Sequence, residues 1–300
     1  MTSRIDLTAA VGFVATHGRI LDRRRLELLI AGGDGSAALA ALDGYRNADG
    51  GYGWGLEPDL RSPESQPVAA MHALEVFAEV TPITPTRAAE LCDWLAASSV
   101  TDGALPFALP ITDPAGCAPW WADPDTTTPS LQITAAALAK AQQVARHDDR
   151  VASHPWLTRA TKWCLAAIAE LESLPQAYEL LFAMRFLDAV ADAEPAAVPL
   201  LERLGGLLPA DGVVAVAGGA EGEAIRPLEL APVAGSAARG LFPEEVVAEE
   251  LRRLAAAQQP DGGWTVDFVS ASPAAALEWR AYATVEAVGI LRANAGSVNA

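Results

Sequence analysis

The chain has 300 residues, 51% of them apolar and 20% charged, with a formal net charge of −17. That length and apolar content can fill one large core. A surface so acidic repels phosphate backbones and anionic headgroups, which argues against nucleic acid and membrane surfaces as partners. Ala and Leu dominate, and both enter a helix at little cost in side-chain entropy, so an all-α fold is expected.

In chain order, the opening MTSRIDLTAA has no long apolar run and does not read as a secretion signal. No later run is long enough to cross a bilayer. Arg23-Arg24-Arg25, beside Asp22, reads as a solvated helix face. The segment Arg46-Asn47-Ala48-Asp49-Gly50-Gly51-Tyr52-Gly53-Trp54 reads as a glycine turn, and a helix follows from about Glu64-Ser65-Gln66-Pro67, with Val68, Met71, Leu74 and Phe77 on its buried face. Thr84-Pro85 marks another helix start. Asp102-Gly103 leads through a long loop to the helix at Ser130-Leu131. Leu180, Met184 and Leu187 share a helical face. Asp211-Gly212 leads to Pro227-Leu228-Glu229-Leu230, and Phe242-Pro243-Glu244-Glu245 places a proline and acids in a first turn. The last turn, Gln258-Gln259-Pro260-Asp261-Gly262-Gly263-Trp264, precedes a helix read from Glu278 onward, with Tyr282, Val285, Val288 and Leu291 on one face. Cys92, Cys117 and Cys164 show no paired spacing and read as reduced thiols of a cytoplasmic protein.

These turns are a repeat. EPDLRSPESQPVAAMHAL (57–74) aligns without a gap over WADPDTTTPSLQITAAAL (121–138), setting Asp59 on Asp123. An array of supersecondary units, each unable to bury its own apolar face, accounts for such self-similarity. A single domain over residues 1–300 is expected, with repeats clearest over 35–292 and roughly a dozen helices in antiparallel pairs.

Gln258-x-x-x-Gly262-x-Trp264 matches the QW motif of squalene-hopene and oxidosqualene cyclases, and the whole alternation resembles the prenyltransferase/squalene-cyclase repeat family. The resemblance implies an α/α toroid, a closed ring of about five to six helical hairpins around a central cavity. It also implies that the QW residues are structural, the Gln tying helix ends together. Trp120-Trp121-Ala122-Asp123-Pro124-Asp125-Thr126-Thr127 resembles the DxDD or DxDTT motif of class II terpene cyclases. Carried over, Asp125 would be the acid that protonates an isoprenoid and Asp123 its partner, since two close carboxylates keep one proton. Trp54, Trp120 and Trp121 would offer aromatic faces to the carbocation. Glu57, Asp59 and Arg61 would line the mouth and hold a polar head group, with Arg61 pairing a diphosphate or carboxylate.

Other readings of the same residues stand beside this one. DPDTTTP is also an ordinary polar turn before a helix, and Glu57–Arg61 is also a loop clip. The chain could be a non-catalytic isoprenoid-binding or scaffold toroid, or a glycan-active helical barrel using paired carboxylates. No Asp-Cys-His zinc triad is evident and His72 reads as a packed or surface residue. No cofactor is expected, with Mg2+ entering only for a diphosphate substrate. The expected partner is a hydrophobic isoprenoid, with a homo-oligomer or a second barrel subunit as a further possibility.

Overall fold

Apolar side chains at helical spacing, few of them β-branched, favour internal hydrogen bonding of each segment as a helix. In the computed structural model, which describes residues 5–80 and 86–295, the fold is all-α, with 14 helices and one two-stranded hairpin among those residues. In order these are α1 (Leu7–His17), α2 (Ile20–Ala31), α3 (Ser36–Leu42), α4 (Pro67–Glu79), α5 (Thr86–Ser98), the single turn α6 (Pro119–Ala122), α7 (Leu131–Ala145), the single turn α8 (Asp149–Ala152) and α9 (Pro155–Ala169). They continue as α10 (Ala177–Val190), α11 (Ala197–Gly205), the hairpin of β1 (Val214–Ala215) and β2 (Ala224–Ile225), α12 (Pro227–Leu230), α13 (Glu244–Ala256) and α14 (Pro273–Ala293). No described helix is long and apolar enough to cross a membrane.

Three long helices, α4, α7 and α10, lie side by side, and each is backed by another: α5 on α4, α9 on α7, α11 on α10. On one flank α3 packs on α4 and α2 on α3; on the other, α12 packs on α10 and α13 on α12. α14 touches α1, α2 and α13. Small residues at Ala69, Ala70, Ala73, Ala135, Ala139 and Ala183, all buried, let the central helices approach closely. Val68, Met71, Leu74 and Phe77 are buried as expected, each full burial of such a side chain being worth about 1.5–3 kcal/mol. Every α4 residue from Pro67 to Phe77 is buried, so α4 has no solvated face among them. A smaller core joins Ala10, Phe13, Leu26, Trp264, Val285 and Val288, where the first and last helices meet.

The repeat is visible in the turns. Asp49 Oδ1 accepts from Gly51 N at 3.0 Å and Asp261 Oδ1 from Gly263 N at 3.1 Å, while Gly50 and Gly262 both have φ 92. Backbone bonds match too: Asn47 N donates to Gly51 O, and Gln259 N to Gly263 O. In this superposition Tyr52, fully buried, takes the place of Trp264, 2% exposed, and Trp54 falls outside it. Gln258 exchanges two 2.8 Å bonds with the backbone of Asp6 and also donates to Gly262 O, pinning the start of α1 to the last turn. The gapless alignment of 57–74 with 121–138 holds for the helices, since Pro67 and Leu131 each open one.

Several expectations shift. The last helix begins at Pro273, with Ser272 as its N-cap, so Glu278 lies inside it. Pro243 is itself the N-cap of α13. After Pro227 only one helical turn forms; Pro232, which disfavours α geometry in the residue before it, and Gly235 follow. Thr84-Pro85 lies outside the described residues.

Candidate functional site

Charged side chains meet where α2, α4, α7 and α14 converge. On α4, His72, Glu75 and Glu79 recur at helical spacing and face Arg25 of α2, Lys140 of α7, and Tyr282 and Glu286 of α14. Arg25, expected on a solvated face, instead turns inward and is only 3% exposed. Its Nε donates to Glu79 at 2.9 Å, and its Nη2 reaches Glu79 at 2.5 Å, Glu286 at 3.1 Å and Glu75 at 3.3 Å. Lys140 Nζ lies 3.0 Å from Glu75 Oε1, to which the Tyr282 hydroxyl also donates at 3.1 Å. His72 Nε2 meets Glu57 at 3.0 Å, and its ring packs edge-on to Trp279 and Tyr282.

The electrostatics follow from this geometry. Burial by itself would raise the Glu75 carboxyl, but Lys140 and Arg25, with His72 beside them, hold it well below the usual carboxylate range. Burial opposes a proton on His72, yet hydrogen bonds to Glu57 and Glu75 raise it. Glu286 is pushed up by burial and by Glu75, against Arg25. Buried charges persist only when paired and bonded, and here each has a partner.

A second cluster lies where α10, α12 and the hairpin meet. Burial pushes the Glu229 carboxyl up to about 7, and one of its oxygens accepts from Arg226 N at 2.9 Å. Arg185 Nε donates to the Glu229 carbonyl at 2.7 Å. The Tyr178 hydroxyl, raised by burial and by its bond to Glu223, donates to Glu223 at 2.7 Å, and Asp267 acts electrostatically on both Tyr178 and Glu229. Burial is the main cause of the rise at Glu229, and the charge of Asp267 adds to it.

The structure sends the sequence-predicted residues to different places. Asp123 and Asp125 are exposed. Asp125 Oδ1 accepts from Thr127 N at 2.8 Å, Thr127 Oγ1 at 2.8 Å and Thr128 N at 3.1 Å. The bonds from Thr128 and Thr127 depress its carboxyl far below the usual range, the opposite of what a proton donor needs. Asp125 and Asp123, read from the sequence as an acid and its partner, lie in a polar surface turn. The aromatic trio is divided as well. Trp54 is 58% and Trp120 49% exposed, while Trp121, 6% exposed, stacks on Phe107 at 4.7 Å. Glu57 and Asp59 are buried, not rim residues. Asp59 accepts from Trp279 Nε1 at 2.7 Å and Ala271 N at 2.8 Å, while Asp59 N donates to Glu57 Oε1. Arg61 pairs with Glu278 at 3.0 Å. The stretch 57–61 thus clips its loop to α14, and Asp59 and Asp123, equivalent in sequence, differ in environment.

The residues that sequence reasoning passed over are Arg25, Glu75, Lys140 and Glu229. For Glu75 a signal existed: a polar stripe at 72, 75 and 79 on a helix apolar everywhere else. Among the described residues, no group of three or more His, Cys, Asp or Glu is placed to hold a metal. No family model matches the chain, and no curated protein matches it.

Proposed function

We propose that the chain is an α/α toroid that serves as a binding or scaffold protein and does not carry out Asp-initiated cyclisation of an isoprenoid. What supports the ring is the circuit of neighbours, which runs from α2 through α3, α4, α7, α10, α12 and α13 and returns through α14 to α2. The Gln258 staple onto Asp6 acts in the same sense. One observation carries the functional reading. Where a cyclase needs a hydrocarbon hollow, these helices hold Arg25, Lys140 and His72 around Glu75 in ion pairs. A polyene laid against that network would displace polar partners and gain little. Unpaired thiols at Cys92, Cys117 and Cys164 suit the reducing compartment included in this proposal.

The test is incubation with prenyl diphosphates plus Mg2+, and with squalene, followed by mass-resolved chromatography. No cyclised product is expected. A product that disappears in Asp125→Asn would overturn the reading.

Glu229 favours a second reading, a glycan-active barrel in which it is the acid. Hydrolysis of aryl glycosides by the wild type, lost in Glu229→Gln, would select it, and equal inertness of both proteins would reject it.

A further inference from the structure

Most interior cations of this chain meet a carboxylate. Arg25 meets Glu75, Glu79 and Glu286, Lys140 meets Glu75, and Arg19 meets Asp22. Arg185 of α10 meets none among the described residues. Its Nε donates to the Glu229 carbonyl at 2.7 Å, which fixes the plane of the guanidinium and leaves both Nη groups without a protein partner among those residues. Arg185 is partly buried and shares a helical stripe with Tyr178 and Phe182. Its charge reaches Tyr282 of α14, whose hydroxyl donates to Glu75, so the guanidinium acts on the face of α14 that meets α4.

Glu229 of α12 has the opposite deficit. One of its oxygens accepts from Arg226 N at 2.9 Å, and no basic side chain among the described residues forms an ion pair with the carboxyl. Burial raises it to about 7 and Asp267 adds to the rise. Arg185 and Arg253 oppose the rise without pairing, and Arg253 is itself paired with Glu250. A cation without an anion and a carboxyl without a cation thus lie together, tied through one backbone carbonyl. Burial makes each of them costly alone.

We propose that this pair binds a compact zwitterion, an apolar α-amino acid, with Arg185 holding its carboxylate, Glu229 its ammonium and the Tyr178–Phe182 stripe its side chain. The surroundings choose the ligand class. A simple carboxylate would bring negative charge up to Glu229 and Asp267. A simple amine would bring positive charge up to Arg185. A zwitterion supplies both missing counter-charges and adds no net charge to a chain already at −17. The inference rests on the reading of the chain as a binding toroid and names its ligand; the prenyl diphosphate incubation tests that reading separately.

Isothermal titration of the full chain with L-phenylalanine and L-leucine tests it, with 3-phenylpropanoate and 2-phenylethylamine as analogues carrying one charge each. Saturable binding of both amino acids is expected, with phenylalanine at least about tenfold tighter than either analogue. Arg185→Gln should weaken both about tenfold or more. Arg203→Gln, in an arginine that bonds the carbonyls of Ile168 and Ala169, should leave them unchanged, with circular dichroism showing both variants folded. An ammonium beside Glu229 favours the ionised carboxyl, so binding should release about half a proton at pH 7, read from the heats in two buffers of different ionisation enthalpy. Glu229→Gln should abolish that release. No saturable binding, equal affinity for either analogue, full affinity in Arg185→Gln, or binding without proton release would overturn the proposal.

Discussion

Arg25→Met is the sharpest probe of the interior. Arg25 is the shared counter-charge of Glu75, Glu79 and Glu286, and its guanidinium also lies over the Tyr282 ring at 5.2 Å. Methionine keeps much of the volume and removes the charge, taking the ion pair from Glu79 and Glu286 and leaving Glu75 with Lys140 and His72. Breaking a buried pair in this way costs about 3–5 kcal/mol. With an unfolding entropy of roughly 2.1 cal/mol/K per residue, a chain of this length loses roughly 5–8 °C in Tm. Glu75→Gln in the same background should recover part of the loss, with a coupling of roughly 0.5–3 kcal/mol between the two sites. Thermal and urea unfolding of the wild type, both single variants and the double variant give every number needed. A loss below about 1 kcal/mol, as for an exposed pair, or strict additivity of the two substitutions, would refute the idea of a buried network.

Glu229 predicts a pH dependence. Burial raises its carboxyl from 4.5 to about 7, so between those values the folded chain keeps a proton that the unfolded chain has released. Stability from this group is full below the lower value and is lost as pH rises through the upper one. Glu229→Gln should flatten that slope in urea midpoints measured across the window, and an unchanged slope would contradict the burial argument. Glycine substitutions separate strain from collision. Gly222→Ala, at φ 82 with open space around its Cβ, should cost about 1–2 kcal/mol. Gly262→Ala adds a clash with the backbone of Ala9 and should cost several-fold more in urea unfolding. Gln258→Ala removes both bonds to the Asp6 backbone, leaving Asp6 O with Ala10 N alone, and should cost about 1–3 kcal/mol, read from unfolding midpoints. Amide exchange in α1 should rise with it, and unchanged protection would remove the staple.

Fold class and the recurring turns were legible in the order of residues, because both rest on local physics. Helical periodicity placed Val68, Met71, Leu74 and Phe77 in the core. The Asp-Gly-Gly grammar forced the same positive φ and the same Asp-to-backbone bond at turns more than 200 residues apart. Tertiary structure decided the site, because burial and pairing join segments that sequence spacing does not relate. Asp59 and Asp123 align without a gap, yet one meets Trp279 of α14 inside the protein and the other meets water. Arg25 sits in a run that reads as surface, and only the convergence of α2, α4, α7 and α14 turns it into the hub of a buried charge network. A carboxylate's role depends on which donors surround it, and here those donors come from distant parts of the chain.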